Sequence, residues 1–265
     1  SMSGDPADRS RYQIGVLRED EGRGGSKLMH RIFSEGRKIF ISKPINHFEL
    51  DESATKTFLM GGGIGITPMI AFAHRLHALG AEFAMHYSVK SRELAGYLDD
   101  LADMPWRDHV YVHVSEEGTR ADLDHVLKGY EPGWHVYTCG PERYMDSVIE
   151  SATRQGFPEE ARHLEYFSVP EQPDYVNHEF TIRLTRSGRE LHVPADQTIA
   201  DILNANGVRI DIKCSDGICG VCKCGLVSGE VEHRDHVLSN RQRESAIITC
   251  QSRAAEEGGT IELDL

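Results

Sequence analysis

The chain has 265 residues, with 42 acidic against 29 basic side chains and a formal net charge of −13 at pH 7. A surface this acidic repels phosphate backbones and anionic lipids, so we expect no binding to nucleic acids or membranes. No run of about 18 apolar residues is present, so no transmembrane helix is predicted. Six cysteines without an apolar leader segment are typical of the cytoplasm, where thiols stay reduced, and we expect a monomer.

The first predicted elements are two strands and a short helix. Alternating apolar residues predict strands over residues 12–18 and 38–42. Between them lie a glycine-rich turn at residues 21–26 and an expected helix over residues 27–33.

From residue 56 onward, predicted strands alternate with predicted helices. The strands are expected at residues 57–60, 82–88, 109–114 and 134–138, and the helices at residues 68–79, 94–101, 121–127 and 142–155. This alternation is typical of a parallel sheet covered by helices on both faces. We therefore predict an α/β nucleotide-binding domain over residues 55–168.

A glycine-rich loop follows the first of these strands and opens the first helix. It reads Gly61-Gly62-Gly63-Ile64-Gly65-Ile66-Thr67-Pro68. Glycines at such a turn let backbone N–H groups approach a pyrophosphate, and the helix N-terminus adds a positive dipole end. Thr67 is predicted to cap the helix, and Pro68 in its first turn needs no N–H donor. The spacing departs from G-x-G-x-x-G, and tight turns use glycine without any ligand.

A second turn ends a later strand of the same predicted sheet and reads Thr138-Cys139-Gly140-Pro141. Ligands of parallel sheets bind at the carboxyl ends of strands, so this turn and the glycine loop are expected to face one crevice. A thiol placed there would touch a nicotinamide ring. The alternative for Cys139 is a buried thiol at a strand end.

The last part of the chain is predicted to be a linker and a small α+β domain. Two prolines among polar residues favour a linker over residues 169–178. Beyond it, over residues 179–265, we expect a hairpin of residues 179–185 and 190–193, a helix at 198–206 and a closing strand at 260–264.

Four cysteines in this domain carry the strongest signal of the chain, with the spacing C-x4-C-x2-C-x27-C, and they are Cys214, Cys219, Cys222 and Cys250. This spacing is typical of the ligands of a plant-type [2Fe–2S] cluster. A structural zinc site usually pairs two short C-x2–4-C hooks, and disulfide frameworks belong to small secreted chains. Cys224 is left over and is expected to be a small buried hydrophobe. The pattern predicts a one-electron carrier.

The glycine loop, the Cys139-Gly140-Pro141 turn and the cysteine loop, in this order, resemble the phthalate dioxygenase reductase group of the ferredoxin–NADP reductase superfamily. The reductases of vanillate demethylase and carnitine monooxygenase are similar. The resemblance covers nearly the whole chain. It implies an FMN-binding antiparallel β-barrel, then a nicotinamide domain and a C-terminal β-grasp ferredoxin domain. It also implies that NADH gives a hydride to FMN, which passes single electrons through the cluster to a Rieske-type terminal oxygenase.

The resemblance assigns roles to individual residues. The cluster ligands would be the four cysteines of the motif, and Cys139 would be the catalytic residue beside the nicotinamide. The remaining dinucleotide contacts would come from Gly62, Gly63, Gly65, Thr67, Pro68, Gly140 and Pro141. The FMN phosphate would be held by Gly24, Gly25 and Ser26, although such a turn is otherwise as often merely flexible. Phe167 would neighbour the flavin, although an aromatic residue ending a strand is more often core.

Only part of the family's flavin barrel is expected in residues 1–54. The R-x-Y-S motif that binds the flavin in this family is absent, so the chain is expected to be a truncated form that starts midway through the barrel. Half a barrel leaves an unpaired edge and an open flavin site, which argues against full FMN binding by this chain. Ser1 before Met2 is also what a cleavage scar leaves.

The choice between NADH and NADPH stays open at this point. Ser88, Lys90 and Arg92 follow the second strand of the predicted sheet, where the adenosine ribose would lie. An acidic residue there would favour NADH by bonding the 2′-hydroxyl, whereas these three residues suit a 2′-phosphate. The family leans to NADH.

Two other functions compete with an oxygenase reductase. The first is a nucleotide-binding ferredoxin without flavin, acting as a carrier or sensor, and the second is a structural module held by zinc. Bound flavin separates the first from a reductase, and inorganic sulfide excludes the second. His74 and His77 lie at helical spacing, but without nearby ligands of other kinds we expect no metal there. The final substrate, that of the partner oxygenase, stays open between an aromatic acid and a quaternary amine such as carnitine.

Overall fold

The computed structural model describes residues 1–41, 43–169 and 174–265. Ser42, the last residue of the second predicted strand, and residues 170–173 of the predicted linker lie outside the described residues. The chain divides into two compact units, Ser1–Glu165 and Tyr166–Leu265. Each unit is described by itself below.

The first unit contains one parallel sheet of five strands in the order β3-β2-β1-β4-β5. Every neighbouring pair in it is parallel. The strands are β1 (Lys56–Gly62), β2 (Phe83–Val89), β3 (Val110–Val114), β4 (Trp134–Cys139) and β5 (Arg162–Glu165). The predicted α/β fold is therefore confirmed. The strand order runs outward in both directions from β1 and β4, so the carboxyl ends of these two strands flank the switch point where ligands bind in such sheets.

Helices cover both faces of this sheet. The helices of this unit are α1 (Gly25–Ile32), α2 (Ile66–Leu79), α3 (Leu98–Ala102), α4 (Leu123–Val126) and α5 (Glu142–Arg154), and α1 has no buried residue. Successive strand residues point to opposite faces. Leu59 of β1 therefore packs in the core that contains Ile66 of α2, while Phe58 and Met60 pack in the core that contains Val148 of α5. In the ranges that the structure describes, no helix is long and apolar enough to cross a membrane.

The two strands predicted near the N-terminus are wrong. In the described part of residues 1–54, β-pairing is limited to one antiparallel bridge between Met2 and Ile14, and the expected partial β-barrel is not formed. Alternation predicts one apolar face, but a strand also needs a neighbouring backbone to pair with. Among the described residues no such partner pairs with residues 38–41, and Phe40 is fully exposed. The predicted short helix is confirmed as α1.

The N-terminal residues instead pack against the parallel sheet and against Tyr97, which precedes α3 of the same unit. Ser3 is buried, and its hydroxyl lies 3.0 Å from the hydroxyl of Tyr97. Phe48 packs edge-on against Tyr137, with ring centroids 5.6 Å apart. The backbone N–H of Asp51 donates to the Tyr137 hydroxyl at 2.8 Å. Residues 1–54 are thus part of the first unit even without strands of their own.

The second unit contains a mixed sheet in the order β10-β8-β12-β6-β7 and a small two-stranded ladder of β9 and β11. The strands are β6 (Phe180–Leu184), β7 (Glu190–Val193), β8 (Lys223–Ser228), β9 (Val231–Glu232), β10 (Ala246–Ile248), β11 (Arg253–Ala254) and β12 (Thr260–Leu263). Its helices are α6 (Ile199–Ala205) and α7 (Asn240–Arg243). The predicted hairpin, helix and closing strand are confirmed, and β12 pairs parallel with β6. This arrangement of hairpin, helix and parallel closing strand agrees with the predicted β-grasp fold.

Two buried arginines attach the described end of the predicted linker to the second unit. Arg234 donates to the Asn177 side chain at 2.6 Å and lies over the Tyr175 ring at 4.2 Å. Arg253 donates to the carbonyl of His178 at 2.8 Å. Residues 175–178 therefore belong to the packed second unit.

Two partly buried histidine pairs in the first sheet predict a loss of stability in acid. His86 contacts His113, and His135 contacts His163, each with ring nitrogens 2.9 Å apart. Burial, followed by the neighbouring histidine, lowers the pKa of His86 and that of His163 to about 4. The unfolded chain takes up these protons near pH 6.5, so stability is full above that pH and is lost as pH falls towards 4.

We expect the protonation of His86 alone to lower the free energy of unfolding by roughly 2 kcal/mol between pH 7 and pH 5. Urea denaturation at both pH values measures it. His86→Gln should flatten this dependence, whereas the same change at exposed His125 should leave it intact. An unfolding free energy that is equal at both pH values would contradict the expectation.

Candidate nucleotide site and iron–sulfur centre

The glycine loop and the Cys139-Gly140 turn meet at the switch point of the first sheet. Gly61 and Cys139 are register partners on β1 and β4. A Cβ on Gly65 would lie 2.2 Å from the carbonyl oxygen of Cys139, and one on Gly140 would lie 2.8 Å from that of Gly62. Only glycine permits this approach of two backbones. The sequence-predicted crevice is thus flanked by the expected residues.

The glycine loop presents backbone groups to a ligand, and the Thr67 hydroxyl is not available. Thr67 is fully buried and its hydroxyl donates to the Ile64 carbonyl at 3.1 Å. The predicted capping role of Thr67 is therefore wrong, since the residue before the helix is Gly65 and no side chain caps it. Pro68 lies in the first turn as predicted. Gly63 and Ile64 stay partly exposed, so their backbone is available to a phosphate.

Cys139 lies in the core beside the crevice. None of its side chain is exposed, and it packs in the cluster that contains Ile66, Met69 and Tyr137. Burial, and then the charge of Glu165, raises the pKa of the thiol, which stays protonated. Contact with a nicotinamide remains a prediction, because it requires this side chain to become exposed.

Glu165 is a residue that the sequence motifs did not single out. It is the register partner of Cys139 at the end of β5, so its carboxylate lies at the same edge of the sheet. The Ser1 hydroxyl donates to it. Tyr144 was missed too, and its ring lies 2.8 Å from where a Gly62 Cβ would be. Both become visible only once strand order and register are known.

The basic residues after β2 are held by acids from the next loop. Ser88, the register partner of Gly62, is partly buried. Arg92 donates two hydrogen bonds to Glu117, at 2.6 and 3.0 Å. These bonds lower the pKa of the Glu117 carboxyl and raise that of Arg92. Lys90 lies 3.9 Å from Glu116. The cations that suit a 2′-phosphate are therefore already paired with carboxylates.

Gly24, Gly25 and Ser26 lie at the first turn of α1, as an anion site requires. Gly24 precedes the helix with φ +90°, and the Ser26 hydroxyl accepts the Glu19 N–H at 3.0 Å. A cavity of about 480 Å³ beside this turn is lined by Arg18, Gly24, Lys27, Leu28, His30 and Arg31. Basic side chains at a helix N-terminus suit a phosphate. Phe167, the other predicted flavin neighbour, is in the second unit and is 38 % exposed.

The four cysteines of the motif come together in the second unit as two contacting pairs, Cys214 with Cys219 and Cys222 with Cys250. The hydrogen bond from the Cys250 thiol lowers the pKa of Cys222 to about 6, and the same bond raises that of Cys250. A two-iron cluster takes two thiolates per iron, so two pairs are the donor set that it needs. These residues fit the cluster that the spacing predicts.

Backbone N–H groups point at the sulfurs. The N–H of Asp216 donates to the Cys214 sulfur at 3.3 Å. Ser215, with φ 59°, is the one non-glycine residue with positive φ in the described ranges, and Gly217 has φ +73°. These curled positions turn N–H groups inward, which stabilises thiolates and a cluster that gains negative charge on reduction.

A single-metal site is not what the geometry offers. Across the described residues, no three His, Cys, Asp or Glu side chains converge as ligands of one ion. Cys224 is buried, its pKa is raised to about 11 by burial, and it stays outside the two pairs, as predicted. His74 accepts a hydrogen bond from the Trp106 indole at 3.3 Å, which is a structural role.

Each of the two units matches a known protein family. Residues 182–255 match the 2Fe-2S iron-sulfur cluster binding domain. Residues 39–161 match the N-terminal domain described as dimethylamine monooxygenase subunit DmmA-like. The second unit is thus a [2Fe–2S] ferredoxin domain.

The full-length relatives decide the family. The chain is 39 % identical to the tert-butanol monooxygenase/tert-amyl alcohol desaturase reductase subunit of Aquincola tertiaricarbonis, covering all of this chain and 81 % of that protein. It is 38 % identical to the phthalate dioxygenase reductase of Burkholderia cepacia, covering 96 % and 79 %. The chain belongs to the phthalate dioxygenase reductase family. It is therefore an oxidoreductase of the class that serves oxygenase systems.

Solved structures agree with this membership. A phthalate dioxygenase reductase matches with a TM-score of 0.66 and 36 % identity over all of this chain and 82 % of that one. An intact type IV self-sufficient cytochrome P450 monooxygenase matches with a TM-score of 0.89 and 37 % identity, over all of this chain and 34 % of the larger one. The fold of this chain thus occurs both in a separate reductase and as part of a longer P450 monooxygenase chain.

Proposed function

We propose that this oxygenase reductase takes a hydride from NADH and delivers the two electrons singly, through a [2Fe–2S] cluster, to a Rieske-type terminal oxygenase. FMN, when bound, accepts the hydride and releases electrons one at a time, as a one-electron cluster requires. The observation that carries the proposal is the pairing of four cysteine thiols in a unit matched to ferredoxins. The glycine loop and the Cys139-Gly140 turn at a switch point support the nucleotide half.

The roles of individual residues form part of the proposal. Residues 55–168 would bind the nucleotide, residues 179–265 the cluster, and residues 1–54 would contribute to the flavin site, with residues 169–178 as the connection. The cluster ligands would be Cys214, Cys219, Cys222 and Cys250. The dinucleotide would rest on the backbone of Gly62, Gly63 and Gly65 beside Gly140 and Pro141.

The charges after β2 support NADH over NADPH. This part of the chain has three carboxylates (Glu93, Glu116 and Glu117) against two cations (Lys90 and Arg92). Arg92 already makes a bidentate pair with Glu117. A 2′-phosphate brings about two negative charges, so it would have to break this pair or meet a net negative surface. A ribose 2′-hydroxyl is neutral and donates well to a carboxylate.

Glu117→Gln is therefore expected to raise the affinity for a 2′-phosphate. Without the Glu117 charge, Arg92 is released to the phosphate, and we expect on the order of tenfold tighter binding of 2′,5′-ADP relative to 5′-ADP. Isothermal titration with both nucleotides measures the ratio and needs no flavin. Glu150→Gln, at an exposed position of α5, is the matched control. An unchanged ratio in Glu117→Gln would contradict the assignment.

FMN binding by this chain is supported by the cationic cavity at α1. In a chain of net charge −13, a cavity lined by Arg18, Lys27 and Arg31 favours an anion of phosphate size. The quenching of FMN fluorescence on titration with the chain tests it directly. Lys27→Gln should weaken the binding of FMN. Lys128→Gln, at an exposed position just after α4 in the same unit, should not.

Two oxygenase types compete as the partner. We favour a Rieske-type oxygenase, in keeping with the phthalate dioxygenase reductase family, but a haem oxygenase has specific support. The chain aligns along its whole length with part of a cytochrome P450 monooxygenase, and it is 38 % identical to a haem-dependent oxidative N-demethylase beta subunit of Ectopseudomonas mendocina. Rapid mixing of the reduced chain with a purified oxygenase of each type, followed at the absorption of the acceptor centre, shows which is reduced faster.

A flavin-free electron carrier is the alternative function. Such a protein would hold the cluster and bind nucleotide, but NADH would not reduce its cluster, with or without FMN. Anaerobic NADH addition, with and without FMN, is the experiment that tests the proposed function against this alternative.

A further inference from the structure

A buried carboxylate packs against the loop that carries three of the cysteines. The Asp235 side chain is fully buried. Its Oδ2 accepts the backbone N–H groups of Leu238 at 2.9 Å and of Val237 at 3.4 Å. Arg243 donates to the Asp235 carbonyl at 2.6 Å, and the same nitrogen lies 3.7 Å from Oδ2. The carboxylate therefore shapes the turn at residues 235–238 and is partly neutralised by one arginine.

This turn holds Gly217 in place. A Cβ on Gly217 would lie only 3.2 Å from the Asp235 Cα, so the two backbones are in contact. The N–H of His236 donates to the Gly217 carbonyl at 3.1 Å. The N–H of Gly217 in turn donates to the Cys250 sulfur. Asp235 is thereby connected to a sulfur through the backbone of His236 and Gly217.

The same carboxylate also reaches the segment that follows Cys250. The Ser252 hydroxyl donates to Asp235 Oδ1 at 3.4 Å, and it accepts the N–H of Arg234 at 3.3 Å. His233 Nδ1 is 3.4 Å from the same carboxylate oxygen. Asp235 thus links the three-cysteine loop to the turn between β10 and β11 that supplies the fourth cysteine.

We infer that Asp235 and Arg243 form a positioning pair for the iron–sulfur cluster. The pair keeps the Gly217 N–H directed at the Cys250 sulfur, and its two opposite charges together set the reduction potential of the cluster. The inference rests on the proposed role of the four cysteines as ligands. Neither residue belongs to the cysteine motif, and neither touches a sulfur.

The charge of each partner acts on the potential with opposite sign. Reduction adds one negative charge to the cluster, so a nearby carboxylate disfavours it and a nearby guanidinium favours it. Asp235→Asn keeps an oxygen acceptor for the Leu238 N–H but removes the charge, so the potential should rise. Arg243→Gln leaves the carboxylate unbalanced, so the potential should fall. Asp235→Ala also removes the acceptor, which loosens the turn and should shorten the lifetime of the cluster.

The test uses the full chain after reconstitution with iron and sulfide, and it begins with iron and sulfide content. If the wild-type chain takes up no [2Fe–2S] cluster, the proposed function fails rather than this inference. Anaerobic redox titration then gives the potential of each variant, and electron paramagnetic resonance of the reduced form reports the cluster surroundings. We expect opposite shifts in Asp235→Asn and Arg243→Gln, recovery towards the wild-type potential in the double variant, and a wild-type potential in Arg243→Lys.

Glu190→Gln is the matched control, since it breaks an exposed 2.8 Å pair with Arg183 in the same unit. It should leave the potential unchanged. If all Asp235 and Arg243 variants hold a full cluster at the wild-type potential, the inference is overturned. It is overturned as well if both single variants shift the potential in the same direction, or if Arg243→Lys shifts it as far as Arg243→Gln. If both single variants lose the cluster and the neutral double variant recovers it, the balanced pair is supported.

Discussion

Cys222→Ser should leave the chain with almost no iron–sulfur cluster. Cys222 is buried, and its thiol contacts that of Cys250. Serine offers a poor ligand to iron, and loss of one of four thiolates leaves one iron without its pair. We expect iron and inorganic sulfide to fall to a small fraction of the wild-type content, together with at least a roughly 100-fold loss of electron delivery to an oxygenase, equivalent to about 2.7 kcal/mol.

A matched control lies two residues away. Cys224 is also buried, but it belongs to the core of the sheet and not to either thiol pair. Cys224→Ala should therefore retain the cluster, at a cost in stability of about 1 kcal/mol from the lost buried sulfur. Iron and sulfide analysis of both variants provides the comparison. Equal loss of the cluster in the two variants would contradict a ligand role that distinguishes Cys222 from Cys224. Cys214→Ser, at the partly exposed start of the cysteine loop, provides a second test of the ligand assignment.

Gly65→Ala should weaken nucleotide binding and destabilise the first unit. Its Cβ would lie 2.2 Å from the carbonyl oxygen of Cys139 and 2.5 Å from the N of Gly140. Neither neighbour is a flexible side chain, so the loop and the turn must separate, at a cost of about 1–3 kcal/mol. The crevice for the dinucleotide is defined by this approach, and we expect NADH binding to weaken by at least about tenfold.

Gly96→Ala provides the contrast for this prediction. A Cβ at Gly96 meets nothing within 4 Å, and its φ is not positive, so alanine should be accommodated. Isothermal titration with NADH and thermal unfolding of both variants separate a local effect from general damage. Wild-type affinity in Gly65→Ala would show that the glycine loop does not form the nucleotide site.

The parts of the chain that the sequence predicted well depend on local pattern. The spacing of Cys214, Cys219 and Cys222 puts three thiols on one loop whatever the rest of the fold, so a [2Fe–2S] ferredoxin domain could be predicted from the sequence alone. The alternation of strands and helices after residue 56 was equally direct, because a strand such as β1 that is buried on both faces reads as a continuous apolar run.

The parts that the sequence did not predict depend on tertiary pairing. Residues 12–18 alternate like a strand, yet a strand forms only beside a second one, and periodicity does not reveal its absence. The strands β8 to β11 were not predicted because they are short, with two to six residues each. Thr67 suited a helix cap but is buried beneath the loop, where its hydroxyl bonds Ile64.

Residues brought to the sites by strand order were also missed. Glu117 comes from the loop after β3 to meet Arg92, and Glu165 from the end of β5 to lie beside Cys139. Asp235 lies 13 residues beyond Cys222 in the chain and still packs on the cluster loop. No spacing rule connects such residues with the motif they support.

The proposed function requires one chain to couple a nicotinamide nucleotide to a [2Fe–2S] cluster, and anaerobic addition of NADH tests this coupling. The reconstituted chain is followed at the visible absorbance of the cluster, first with NADH alone, then with FMN added, and finally with dithionite. We predict that NADH with FMN bleaches the cluster absorbance to the level that dithionite reaches. A cluster that dithionite reduces but NADH with FMN leaves oxidised would contradict the claim and favour a carrier without a hydride acceptor.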